Sequence, residues 1–265
     1  MNWNKAQLLA ILPQRLRRED YDEVNEIRLR LDRPPRLVTE SRWRDLEGAV
    51  EEGELRFVLN AASRYSPWTA ESLKDGYLTA PGGHRIGVCG DGTAEGIRTP
   101  NALCIRVARD VRGNAAGLPS DKSLLLLGPP GSGKTTLLRD LIRQISRNAM
   151  VSVVDERREL FPEGFFRGEN TDVLSGVDKP RGIDMVLRSM GPQVIAMDEV
   201  TSKADCEALL RAAWCGVRLI ATAHADSIRD LRQRIVYRPL VQTGLFSQAA
   251  VLDANRSWHL EEVGA

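Results

Sequence analysis

The residues best equipped for chemistry lie in one short run. Gly128-Pro129-Pro130-Gly131-Ser132-Gly133-Lys134-Thr135 carries glycine, glycine, lysine and a hydroxyl at the spacing GxxxxGK[ST]. Gly131 and Gly133 let the backbone curl closely around an anion, with its N–H groups turned inward. A helix beginning at Lys134 adds the partial positive charge of its N-terminus. The Lys134 ammonium reaches the β- and γ-phosphates of a nucleotide, and the Thr135 hydroxyl is a ligand for Mg²⁺. Gly128 to Thr136 is therefore expected to cradle ATP with Mg²⁺, and hydrolysis is the expected reaction.

Carboxylates at strand ends supply the rest of such a site. Val194-Ile195-Ala196-Met197 is an apolar run that ends in Asp198-Glu199. Asp198 is placed to hold Mg²⁺, directly or through water, and Glu199 to orient and deprotonate the attacking water. Val153-Val154 ends the same way, in Asp155-Glu156, with Arg157 following. This second pair either shares water activation or metal binding, or closes a surface turn. Two pairs thus compete for the role of general base, and spacing alone leaves the choice open. His224 follows the run Leu219 to Ala223. It is expected either to sense the γ-phosphate, to contact a neighbouring subunit, or to make a local hydrogen bond. His84 and His259 have no such context.

These groups need elements to hold them. Ser123 to Leu127 is a continuous apolar strand. Lys134 to Ser146 reads as a helix with Leu137, Leu138, Leu141, Ile142 and Ile145 on one side. Val151 to Val154, Val194 to Met197 and Val217 to Thr222 are further short apolar runs, and Gly182 to Met190 and Ala204 to Trp214 look helical. Doubly buried strands alternating with helices predict a parallel α/β sheet. The first half differs. Ile27, Leu29 and Leu31 alternate with Arg28 and Arg30, a half-buried strand within Val24 to Leu31. Glu54 to Arg64 has helical spacing. Gly76 to Gly90 predicts a hairpin turning at Pro81-Gly82-Gly83. Leu103, Ile105 and Val107 predict another strand. The expected organisation is a small α+β domain over 1–112 with a mostly antiparallel sheet, a linker over 113–121 and an α/β domain over 122–265.

Length and composition suit an ordinary globular protein of one large domain or two modest ones. The chain has 265 residues, 42% hydrophobic and 28% charged. Lys plus Arg number 37 and Asp plus Glu 36, a net charge of +1, which gives no global field to hold nucleic acid or an anionic membrane. No run approaches a transmembrane length, and Pro13 and the charges after it argue against a signal peptide, so a cytoplasmic location is expected. Cys89, Cys104, Cys206 and Cys215 form no CxxC pair. Most sit in apolar runs and are expected to be buried thiols, without zinc or disulfide roles.

The ordered blocks GPPGSGKTTLLRDLIR, VSVVDERREL, TDVL, LRSMGPQVIAMDEV and GVRLIATAHA, with NEIRLRLDRPPRL, SRYSPW, GYLTAPGGHRIGVCG and IRVARD before them, resemble the stage III sporulation protein AA family over roughly Asp20 to Asp253. That family is related to the ATPases of type II and type IV secretion and of pilus retraction. The resemblance implies a RecA-like P-loop core with a parallel sheet, preceded by the smaller α+β domain. It also implies a ring oligomer, a hexamer, working with membrane proteins of a sporulation channel or secretion complex, at the cytoplasmic side and peripheral to the membrane. Asp155 and Glu156 match the acidic box of the related ATPases, Glu199 their Walker B glutamate and His224 their His box. Nucleotide would lie between the two domains, with Arg85, Arg106 and Arg109 as candidate N-terminal arginines. Asn170, Thr201 and Ala225 stand where arginine, glycine and glycine are expected, and the loop Phe161 to Glu169 is shorter and more aromatic than the family pattern. A nucleic-acid-stimulated ATPase, drawing on the clusters Arg15 to Arg18 and Arg28 to Arg36, and a non-catalytic nucleotide switch are the competing readings.

Overall fold

The structure is a computed structural model that describes residues 5–64, 76–94 and 96–263. Met1 to Asn4, and Tyr65 to Trp68 of the SRYSPW block, lie outside the described residues. The chain divides into two compact units, Met1–Asp110 with Pro162–Phe165, and Val111–Phe161 with Phe166–Ala265.

The first unit is an antiparallel sheet with helices on one face. Its elements are α1 (Lys5–Ile11), β1 (Glu26–Arg30), β2 (Arg36–Val38), β3 (Trp43–Asp45), α2 (Glu52–Ala62), β4 (Tyr77–Thr79), β5 (Arg85–Thr93) and β6 (Gly96–Arg106). The strand order is β3-β2-β1-β6-β5-β4, and every neighbouring pair is antiparallel. Side chains alternate between faces along a strand. Ile27, Leu29, Leu37, Leu103, Ile105, Ile86 and Val88 therefore form a core with Leu8, Ile11, Leu55 and Val58 of the helices. Arg28, Arg36, Cys104, Arg106 and Arg85 are left on the other face by the same register. The expected hairpin is present: β4 and β5 pair across a 3₁₀ turn at Pro81–Gly83. Gly82 and Gly83 have φ of 82° and 76°, a left-handed conformation that glycine tolerates. The turn is also held from outside, because the Gly82 N–H donates to the Glu163 carbonyl at 3.1 Å. The helix α2 starts two residues before its apolar pattern does, at a capping box formed by Glu51 and Glu54.

The second unit is an α/β sheet. It contains β7 (Leu124–Leu127), α3 (Lys134–Ile145), β8 (Val151–Asp155), β9 (Thr171–Ser175), α4 (Lys179–Ser189), β10 (Val194–Met197), α5 (Lys203–Trp214), β11 (Arg218–Ala223), α6 (Ile228–Gln233), α7 (Arg238–Gln242), β12 (Gln248–Leu252) and β13 (Trp258–Glu262). The order is β13-β12-β7-β11-β10-β8-β9. Pairing is parallel throughout except between β12 and the edge strand β13. Residues of β7, β8, β10 and β11 are almost entirely buried, which explains their mostly apolar sequences, with Ser152, Asp155 and Thr222 as buried polar exceptions. The stretch expected as a linker has packing of its own. Ala115 is buried and its N–H donates to Asp140 Oδ2 at 2.8 Å, and the Trp258 indole donates to the Asn114 carbonyl at 3.2 Å.

The thiols correct the sequence reading. Only Cys206 is buried; Cys104 is half-buried, and Cys89 and Cys215 are exposed. Cys89 lies in a run that looks apolar, but the period of two puts it on the face of β5 away from Ile86 and Val88.

Candidate functional site

The loop 128–133 leaves the end of β7 and enters α3 directly. Gly133 caps the helix with φ of 95°, and Gly131 has φ of 78°. Both are left-handed, so a side chain there would strain the curl. Gly128 is required by space: a Cβ on it would lie 2.6 Å from Ser132 Oγ and 3.0 Å from the Leu252 carbonyl oxygen. Ser132 Oγ is itself buried without a hydrogen-bond partner among the described residues. An orphaned hydroxyl, left-handed glycines and the opening N–H groups of a 12-residue helix fit a phosphate group. Pro129 is half-buried and Pro130 exposed on the outer turn, and Thr136 follows Thr135 into the first turn of α3.

Lys134 is largely buried at the centre. Its Nζ donates to the carbonyls of Gly128 at 2.7 Å and Pro129 at 2.8 Å, and lies 3.0 Å from His224 Nδ1. Burial pulls its pKa down, against the pull of Glu199, Asp198 and Asp226. His224 also places its Nε2 3.0 Å from Glu199 Oε1, so its ring bridges Lys134 and Glu199. Arg157 Nη1 lies 3.9 Å from the other oxygen of Glu199. The Thr135 hydroxyl donates to Asp198 Oδ2 at 3.3 Å. Lys134, Thr135, Asp198, Glu199 and His224 are thus brought together, from α3 and the ends of β10 and β11.

Thr222, on β11, was not singled out in the sequence. Its buried hydroxyl donates to Asp198 Oδ1 at 2.9 Å and accepts the Glu199 N–H at 2.8 Å. It therefore orients both residues that follow β10. The available signal was a polar residue inside an otherwise apolar run.

The second carboxylate pair is adjacent in the sheet, since Val154 on β8 is in register with Met197 on β10. Both of its members have partners. Asp155 is buried and accepts the N–H groups of Glu159 at 2.9 Å and Leu160 at 3.0 Å. Burial raises its pKa, and those backbone donors oppose the rise. Glu156 accepts from the buried Lys179 of α4 at 2.8 Å. The candidate arginines belong to the first unit. Arg85 stacks on the Tyr77 ring, 4.0 Å from its centroid, and Arg106 lies 3.9 Å from Glu26. Arg109 donates to the backbone carbonyls of Asp22 and Val24. The departures from the family pattern have local partners. Asn170 donates to the Ser146 carbonyl, Thr201 donates twice to Asp205, and Ala225 is buried.

Among the described residues no group of three His, Cys, Asp or Glu could hold a metal ion by itself. Thr135 with Asp198 suits Mg²⁺, which keeps waters and phosphate oxygens as its other ligands.

A parallel sheet with the phosphate loop on β7 and acidic ends on β10, preceded by an antiparallel α+β unit, defines a RecA-like P-loop protein. The chain belongs to the family "Sporulation stage III, protein AA", whose model matches residues 3–259. Stage III sporulation protein AA of Bacillus subtilis (strain 168) is 35% identical over 261 residues, covering 86% of this chain and 84% of that relative. Among solved structures, the pilus retraction motor PilT with bound ADP superposes with a TM-score of 0.65 at 17% identity, over 89% of this chain and 77% of that one. The Legionella pneumophila ATPase DotB gives 0.59 at 17% identity, over 89% and 75%. At this identity the likeness concerns the fold. No helix among the described residues is long and apolar enough to cross a membrane.

Proposed function

We propose that the protein hydrolyses ATP with Mg²⁺ and works as a ring-forming motor, a hexamer, for a membrane-associated channel or export complex during endospore formation, at the cytoplasmic face of the membrane. The observation that carries the ATPase reading is the contact of the Thr135 hydroxyl with Asp198, with Glu199 held beside it by His224. Thr135 and Asp198 would hold Mg²⁺, which supplies charge neutralisation on the phosphate oxygens. Lys134 binds phosphate, and the loop N–H groups from Gly128 to Thr136 share the charge. Glu199 is the base that takes the proton of the attacking water, because it follows Asp198 at the end of β10, beside Thr135 and Lys134, whereas Asp155 is turned to the backbone N–H groups of its own loop and Glu156 to Lys179. The family membership supports the sporulation reading, and the motor reading extends it by analogy with ATPases of the same fold.

Phosphate release with ATP and Mg²⁺ tests the proposal. Wild-type protein is expected to turn over, Lys134→Ala to lose binding and turnover, and Glu199→Gln to keep nucleotide binding while losing turnover by roughly 100-fold or more, the scale of a lost general base. Wild-type protein that binds nucleotide yet releases no phosphate would reduce it to a nucleotide switch. Sedimentation that stays monomeric with ATP and Mg²⁺ would refute the ring.

A further inference from the structure

We infer that Arg256, in the turn between β12 and β13, is a second phosphate-binding cation of the nucleotide site, supplied by the same chain. The inference rests on the nucleotide reading above. The strand β12 pairs in parallel with β7, with Val251 in register with Leu127, so the two strands end side by side. The turn that follows β12 therefore emerges next to the phosphate loop. A Cβ on Gly133 would lie 3.8 Å from Cγ and 3.9 Å from Cδ of Arg256, so the arginine stem lies against the residue that caps α3.

The turn is built, not slack. Asp253 Oδ1 accepts the N–H groups of Asn255 at 2.8 Å and Ser257 at 2.9 Å. The Arg256 N–H donates to the Asp253 carbonyl at 3.1 Å. Arg256 itself has φ of 64°, a conformation that side chains other than glycine, asparagine and aspartate seldom adopt. Held strain of this kind clusters at ligand sites. No hydrogen bond or ion pair joins its exposed guanidinium to another described residue. Two arginines of the neighbouring α3 differ: Arg139 donates to the carbonyls of Leu160 and Glu159, and Arg143 to that of Phe166.

The sheet order places the two cations on opposite flanks of β7. Lys134 contacts His224 at the end of β11, while Arg256 arrives from β12 on the other side. They would take different oxygens of one polyphosphate. A guanidinium is suited to this, because its planar fork matches two phosphate oxygens at once.

Calorimetric titration of the full chain with ATP, ADP and inorganic tripolyphosphate, each with Mg²⁺, tests the assignment. Arg256→Gly suits the positive φ and removes the charge, so its unfolding midpoint without ligand is expected to match or exceed the wild type. Its affinity for all three ligands is expected to fall about tenfold or more, the scale of one lost charge-assisted contact. Arg256→Lys is expected to recover part of that loss. Should Arg256→Gly fail to fold, Arg256→Gln carries the same comparison. Unchanged affinity would overturn the inference. So would a loss confined to ATP and ADP, since tripolyphosphate has no base or ribose. Wild-type protein that binds none of the three would instead remove the nucleotide reading itself.

Discussion

Replacing Thr222 by valine tests whether the sheet, rather than Asp198 alone, builds the metal side of the site. Valine keeps the β-branched shape in a buried strand position and removes only the hydroxyl. The Glu199 N–H keeps a second acceptor, Asp198 Oδ1 at 2.9 Å, so no donor is orphaned. What disappears is the hydroxyl donating to Asp198 Oδ1 at 2.9 Å. A hydrogen bond to a charged acceptor contributes about 1.5–3 kcal/mol net. We take about 2 kcal/mol, because Asp198 is partly solvated and water replaces some of the loss. For a domain of this size, each kcal/mol corresponds to roughly 2–4 °C in Tm, so the midpoint should fall by about 4–8 °C. Asp198 then loses the contact that holds its other oxygen against Thr135. A residue orienting a metal ligand usually changes metal affinity by about 10–100-fold, so the Mg²⁺ concentration for half-maximal phosphate release should rise by at least roughly tenfold. Thermal unfolding without nucleotide and a Mg²⁺ titration of turnover read the two effects separately. A lowered Tm with an unchanged Mg²⁺ requirement would refute Asp198 as a metal ligand, and an unchanged Tm would refute the energetic role of the Thr222 bond.

Gly128→Ala forces a Cβ to 2.6 Å from Ser132 Oγ and 3.0 Å from the fixed Leu252 carbonyl. It should cost about 1–3 kcal/mol by overpacking, seen in chemical denaturation, and weaken nucleotide binding with it; a stable variant of unchanged affinity would show that the loop moves freely. Burial pushes the Cys206 thiol up to about 12, from 9.0 in the unfolded chain. A raised acid pKa means the unfolded state ionises first, so stability should fall as pH rises from 9 to 12, less steeply in Cys206→Ala; equal slopes would remove Cys206 from alkaline unfolding. Cys89 and Cys215 are exposed, so both should react with a thiol reagent in native protein while Cys206 waits for unfolding, and early labelling of Cys206 would contradict its burial.

The phosphate loop was legible because its parts are contiguous. An apolar strand, six loop residues and an amphipathic helix follow one another, and local spacing alone dictates the curl. The acidic ends were legible for a related reason: strands buried on both faces read as unbroken apolar runs, so the first charge marks the end. The antiparallel character of the first unit followed from alternating Ile27, Leu29 and Leu31 and from the Pro81-Gly82-Gly83 turn. Two strands near the edges of the second sheet, β9 and β13, were not legible. The strands β9 and β13 are partly exposed, with mixed sequences such as Trp258-His259-Leu260-Glu261-Glu262, and a strand paired on one side lacks the apolar signature of a central one.

What only the tertiary structure decided concerns groups far apart in the chain. The strand β11 inserts between β7 and β10. That brings the Thr222 hydroxyl to Asp198 and the His224 imidazole between Lys134 and Glu199, across 24 and 90 residues of sequence. Asp155 and Glu156 look equivalent to Asp198 and Glu199 along the chain, because both pairs end an apolar strand. Folding distinguishes them by their partners, loop N–H groups and Lys179 on one side and Thr135, Thr222 and His224 on the other. Spacing records which residues occur at a strand's end, but hydrogen bonding depends on which strands become neighbours, and that is fixed only when the sheet assembles.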